Sequence, residues 1–216
     1  MEYELDEVEV RILGALIEKE MTTPDYYPLT LNSLCNACNQ KSNRNPVMAF
    51  DEMTVARGLE SLKKKRLVWQ TDISRVPKYE ESMTTNLDLE KKEAAVLCEL
   101  FLRGPQTVGE IRGRAERMTP LADLQEVADI LGYLEDVGYL KKLPRQPGRK
   151  ESRYMHLFSG EPEFSEAAPE AKPEPATLAV RAENEKITQL QDQVEALSTE
   201  LNELKKAFQD FKSQFE

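Results

Sequence analysis

DEMTVARGLESLKKKRLVW, Asp51 to Trp69, recurs in outline as DLQEVADILGYLEDVGYL, Asp123 to Leu140. In both, an Asp stands ahead of apolar residues spaced four and three apart: Val55, Leu59 and Leu62 in one, Val127, Leu131 and Leu134 in the other. That spacing lines one face of a helix, and a leading Asp suits an N-cap. Phe50 and Val55 occupy the positions of a hydrophobic staple. Each helix is followed by a β-rich run, a turn and a second β-rich run. In the first copy these are LVWQTDI, SRVP and KYE; in the second they are YLKKL, PRQPGRK and ESRYMHLF. Such flanks around Pro and Gly predict hairpins.

Two more helices precede each of these units. Ile12, Leu13, Leu16 and Ile17 align with Val96, Leu97, Leu100 and Phe101 at an offset of 84. Thr30-Leu31, Leu34 and Cys38 align with Thr107-Val108, Ile111 and Ala115 at an offset of 77, and the third helices align at 72. The falling offset means that the first copy has the longer connections. Thr107 with Glu110 has the pattern of a capping box, and Thr30 is the matching N-cap. Three helices and a hairpin, with a helix-turn-helix inside, describe a winged-helix domain. The expected fold is mainly α with small β-hairpins (α+β). Two tandem winged-helix domains (1–85 and 86–158) precede an acidic Pro/Glu/Ala linker (159–177) and a coiled-coil helix (178–216).

The last two segments follow from composition and period. SGEPEFSEAAPEAKPEPAT has almost nothing to bury and reads as an extended linker. Beyond it, Ile187, Val194, Leu201, Phe208 and Phe215 repeat every seven residues, with Leu190, Leu197, Leu204 and Phe211 three places later. That is the seam of a coiled coil, and branched residues at its first positions with Leu at the second favour a homodimer. Net charge is −10 overall, but residues 159–216 hold 6 basic against 13 acidic side chains, while 86–158 balance at 12 of each. The acidity belongs to the tail.

LCNACNQKSNRNPVM, Leu34 to Met48, admits several readings. Cys35-x-x-Cys38 has no second pair beside it, which argues against structural zinc, and no βαβ context for a redox motif. Cys35 and Cys38 then read as packing residues. Asn39, Asn43 and Asn45 suit a long turn capped by its own side chains. The sharper alternative makes Lys41, Asn43 and Arg44 a contact surface for phosphate, base edges or a protein partner.

No Gly-rich phosphate loop, HExxH or nucleophile beside a base is present, so no catalytic residue, cofactor or metal is expected. The lone His156 and the lone Trp69 read as structural, Trp69 packing against its hairpin. No apolar run reaches the length of a membrane span. An acidic N-terminus without signal-peptide order and an odd cysteine count point to a cytoplasmic, reduced protein. Nucleic acid is the partner class the fold suggests first, because a third helix of this kind enters the major groove of double-stranded DNA. Asp123, Glu126, Asp129, Glu135 and Asp136 make the second such helix a poor reader. Arg57, Lys63, Lys64, Lys65 and Arg66 in the first copy, with Arg145, Arg149, Lys150 and Arg153 on the second hairpin, form two basic patches for phosphate. The rival reading is a protein–protein adaptor or scaffold that docks partners through the winged helices, with their acidic third helices, and the coiled coil.

ACNQK-x-NR-x-PVM, preceded by TTP-x-x-YPL and followed by PGRKESRYMHLFSGE, resembles the YceH family of bacterial proteins over roughly residues 5 to 161. The resemblance implies a tandem winged-helix fold. It brings no catalytic residues and no assigned biochemical role.

Overall fold

A computed structural model describes residues 3–71, 75–145 and 151–160. They form a mixed α+β protein that is mostly helical. The chain runs α1 (Glu7–Thr22), a 3-10 turn (Pro24–Tyr26), β1 (Leu29–Thr30), α2 (Leu31–Cys38), α3 (Glu52–Lys64), β2 (Val68–Thr71), β3 (Lys78–Glu81) and the one-turn α4 (Met83–Asn86). It continues with α5 (Lys91–Arg103), α6 (Val108–Ala115), α7 (Leu124–Asp136), β4 (Leu140–Lys142) and β5 (Tyr154–His156).

The helices start where capping chemistry places them. Thr30, Asp51, Thr107 and Asp123 each accept a hydrogen bond from the backbone N–H three residues on, which satisfies a donor the first turn leaves open. Both third helices also end alike. Leu67 N–H donates to Leu62 O at 2.9 Å and Arg66 N–H to Lys63 O at 3.0 Å; Tyr139 N–H donates to Leu134 O at 2.9 Å and Gly138 N–H to Glu135 O at 3.0 Å. This termination needs one residue with left-handed backbone. Gly138 supplies it at φ 80° in the second copy and Arg66 at φ 59° in the first.

β2 and β3 pair antiparallel, and β1 adds to the far side of β3, giving the order β1-β3-β2. The third strand was not apparent from the sequence, where Leu29-Thr30 reads only as the approach to a cap. Its counterpart in the second copy is a single bridge, Gln106 with Tyr154, beside the β4–β5 pair.

α1 and α5 lie against each other, so the two copies share one apolar core that includes Ile12, Leu13, Leu16, Leu97, Leu100 and Phe158. The approach is close at Gly14, where an added Cβ would stand 2.9 Å from a Leu102 methyl and 3.0 Å from Phe101 Cβ. Cys98 Sγ donates to Gly14 O at 3.2 Å. Leu5 N–H bonds Phe158 O at 2.7 Å, which ties the two ends of the described chain together. The heptad residues Ile187 to Phe215 and all but the first two residues of the linker lie outside the described residues.

Candidate functional site

The Asn-rich connection between α2 and α3 is an anchored turn. Asn39 pairs twice with Phe50: its Oδ1 accepts from Phe50 N–H at 2.8 Å and its Nδ2 donates to Phe50 O at 2.7 Å. Arg11 in α1 donates to Cys38 O and Pro46 O. Asn45 N–H bonds Leu102 O, and Asn43 Oδ1 accepts from Arg103. The turn thus grips the end of α5 as well as its own copy.

Arg44 corrects the sequence reading. It is 2% exposed and so presents nothing to phosphate or to a partner. Its guanidinium donates to Ala37 O and to both oxygens of Glu18, at 2.9 Å for Nη1–Oε1. Arg117 bridges onward, 2.6 Å from Glu18 and 2.9 Å from Glu99, and Glu99 pairs with Arg103. The network joins α1, the α2–α3 turn, α5 and the residues after α6. Burial alone would raise the Glu18 carboxyl. The Arg44 hydrogen bond and the charges of Arg44, Arg117 and Lys19 outweigh it and hold the group at about 2. Burial, with Arg44 close by, pushes Arg11 down to about 10.

The other cations divide. Lys65 donates to Glu9 and to Glu4 O, tying the end of α3 to the N-terminus. Lys63 pairs with Glu60 and Gln70, and Arg153 with Glu110 and Pro105 O. Lys41, Arg57, Lys64, Arg66 and Arg145 are exposed, and none of them forms an ion pair among the described residues. Arg149 and Lys150 lie outside them. The outer stripe of α3 is therefore Met53, Arg57, Glu60 and Lys64, followed at the helix end by Arg66.

Trp69 also departs from expectation: it is 58% exposed and does not pack into its hairpin. Val68 points into the core and Trp69 outward, as strand alternation requires. Apolar Leu67, Val68 and Trp69 in succession hide that alternation in the sequence. Tyr3, Arg66, Trp69 and Asn86 line an open pocket of about 600 Å³. Asn86 Nδ2 and Ser82 Oγ both donate to Arg66 O, at 2.7 and 2.9 Å, and so pin its backbone.

α7 presents a different surface. Leu124, Tyr133 and Val137 are exposed beside the exposed carboxylates of Asp129 and Asp136, while Glu126 is held by Lys92.

Each thiol is buried, and burial is the main cause that raises all of them: Cys35 modestly, Cys38 to about 12 and Cys98 well upward. His156 is buried edge-on to Phe101 with ring centroids 4.9 Å apart, and burial lowers it to about 4. Among the described residues no group of three or more His, Cys, Asp or Glu is placed to hold a metal ion. No helix there is long and apolar enough to cross a membrane.

Fold and surface together define a two-copy, mostly helical protein with small antiparallel sheets, a basic helix end in one copy and an acidic helix in the other. The chain belongs to the family described as protein of unknown function, DUF480, whose pattern matches residues 5–149. It is 54% identical to a UPF0502 protein of Geotalea uraniireducens and 53% identical to one of Geobacter sulfurreducens, each over 219 residues and the whole of both chains. A UPF0502 protein of Solibacter usitatus is 48% identical over 217 residues, again covering both chains completely.

Proposed function

We propose that this chain is a non-catalytic tandem winged-helix protein that binds double-stranded DNA through its first copy and acts as a regulator. The observation that carries the reading is the exposed stripe of α3, with Arg57 and Lys64 on it and Arg66 at its end, next to a β2–β3 hairpin that holds an outward Trp69. In this arrangement α3 is the helix offered to the groove and the hairpin is the wing beside it. Glu52 and Glu60 on the same helix temper the field, so the contacts are mainly to phosphate and depend steeply on salt. A homodimer through residues 178–216 would present two such copies to a duplex. The test is binding of the full-length protein to labelled duplex DNA of mixed sequence across a salt titration. Charge reversal at Arg57 and Lys64 is expected to weaken binding and flatten the slope by roughly one for each phosphate no longer neutralised. A slope unchanged by both reversals refutes the assignment of DNA binding to α3.

The acidic, apolar-flecked face of α7 favours a second activity, docking of a protein partner by the second copy. Phosphate is repelled by Asp129 and Asp136, whereas Tyr133 and Val137 offer apolar contact to a basic partner surface.

A further inference from the structure

The two third helices end in the same hydrogen-bond pattern, yet one puts Gly at the left-handed position and the other puts Arg. Gly138 takes φ 80° with no side chain to crowd the backbone. Arg66 takes φ 59°, a conformation that L residues with a Cβ adopt at a cost. Its carbonyl is held by two side chains, Ser82 and Asn86, so the surroundings enforce the conformation. The position held in this way carries an exposed cationic side chain, and a strained backbone at such a residue directs attention to what that side chain meets. Arg66 stands in the pocket with Trp69, Asn86 and Tyr3.

We infer that this pocket binds a nucleotide unit, with its base stacked on Trp69 and its phosphate held by Arg66. The exposed indole offers a flat face for a planar ring. The guanidinium supplies paired donors that match phosphate oxygens. Asn86 has its amide N–H₂ engaged by Arg66 O, which leaves Oδ1 as an acceptor for a base N–H. Glu80 faces Trp69 across the strand pair, so the phosphate belongs on the Arg66 side and the ring on the indole. The inference deepens the DNA-binding reading: duplex contacts at α3 would be accompanied by capture of one unpaired nucleotide beside the hairpin. The same chemistry also fits a free mononucleotide.

Trp69 is the only tryptophan of the chain, so intrinsic fluorescence of the full-length protein reads this pocket directly. The titrants are dTMP, a twelve-residue oligothymidylate and inorganic phosphate. Saturable quenching is expected with a nucleotide form and not with phosphate alone. Saturation by dTMP identifies a free nucleotide as sufficient; saturation by the oligonucleotide only identifies a strand. Arg66→Gly is expected to reduce that affinity at least tenfold while leaving Tm unchanged or higher, because Gly relieves the strained position. Arg66→Asn, another residue that settles in this conformation, is the second variant and should behave likewise. Equal quenching by phosphate, no saturable quenching, or wild-type affinity in both variants overturns the assignment. Duplex binding without quenching removes the pocket and leaves the proposed function. Quenching without duplex binding removes the proposed function and leaves the pocket.

Discussion

Glu18→Gln tests whether the Asn-rich turn is held from inside. Glu18 is fully buried on α1 and bonds Arg44 at 2.9 Å and Arg117 at 2.6 Å. Its carboxyl sits at about 2, against an ordinary 4.5. At about 1.4 kcal/mol per tenfold change in proton affinity, that displacement contributes ~3 kcal/mol to folding at neutral pH. The folded value is depressed, so the stabilisation is present above pH 4.5 and is lost as pH falls through it towards 2. Gln keeps the shape and removes the charge, leaving Arg44 buried without its counter-ion, a change that typically costs about 3–5 kcal/mol. Urea unfolding of wild type and variant at pH 7, 5 and 3.5 measures both effects. The expected result is a gap of ~3 kcal/mol at pH 7 that narrows as pH falls below about 4.5. Other carboxylates titrate in both proteins and cancel in the difference. A gap under ~1 kcal/mol at pH 7, or one that does not change with pH, would refute the network as a source of stability. Arg44→Met should reproduce most of the loss, and the double variant should lose less than the sum of the two, since the pair acts as a unit.

The remaining predictions concern other parts of the molecule. Gly14→Ala forces a methyl against Leu102 and Phe101 and should cost about 1–3 kcal/mol in urea unfolding despite the better helix propensity of Ala; a neutral outcome would mean that α1 and α5 are less closely packed. Burial, together with the charge and hydrogen bond of Glu81 and the charge of Glu80, raises Glu20 to about 7. Because the folded value is raised, its contribution is complete below pH 4.5 and is lost as pH rises towards 7. Glu20 lies at the surface, where solvent screens the effect, so Glu20→Gln should stabilise the protein by only about 1 kcal/mol at pH 8 and hardly at all at pH 4.5. An equal effect at both pH values would be inconsistent with that origin. Removal of 178–216 should convert a dimer into a monomer by light scattering, each mass compared with that of its own chain, without lowering the Tm of the remainder; a shortened chain that still scatters as a dimer would dispose of the coiled-coil homodimer.

Much of this architecture is legible in the amino-acid order because it depends on local rules. Caps at Thr30, Asp51, Thr107 and Asp123 need only a side-chain oxygen three residues ahead of an N–H, and the inward stripes of α3 and α7 need only the helical period. The same logic located both hairpins and the repeat between the two copies. What it could not assign was the destination of a charged side chain. Lys64, Lys65 and Arg66 are consecutive and chemically alike, yet Lys65 is committed to Glu9 while its neighbours face solvent. Arg44 sits among Asn, Ser and Lys as a surface residue would, and only the fold brings Glu18 and Ala37 around it. Trp69 stood one residue from the core in an apolar run, and only the strand pairing turned it outward. Period and capping act within a few residues and survive in the sequence; burial of a charge and the assembly of a pocket depend on residues such as Tyr3, Arg66 and Asn86, which are far apart in the chain and meet only when it folds.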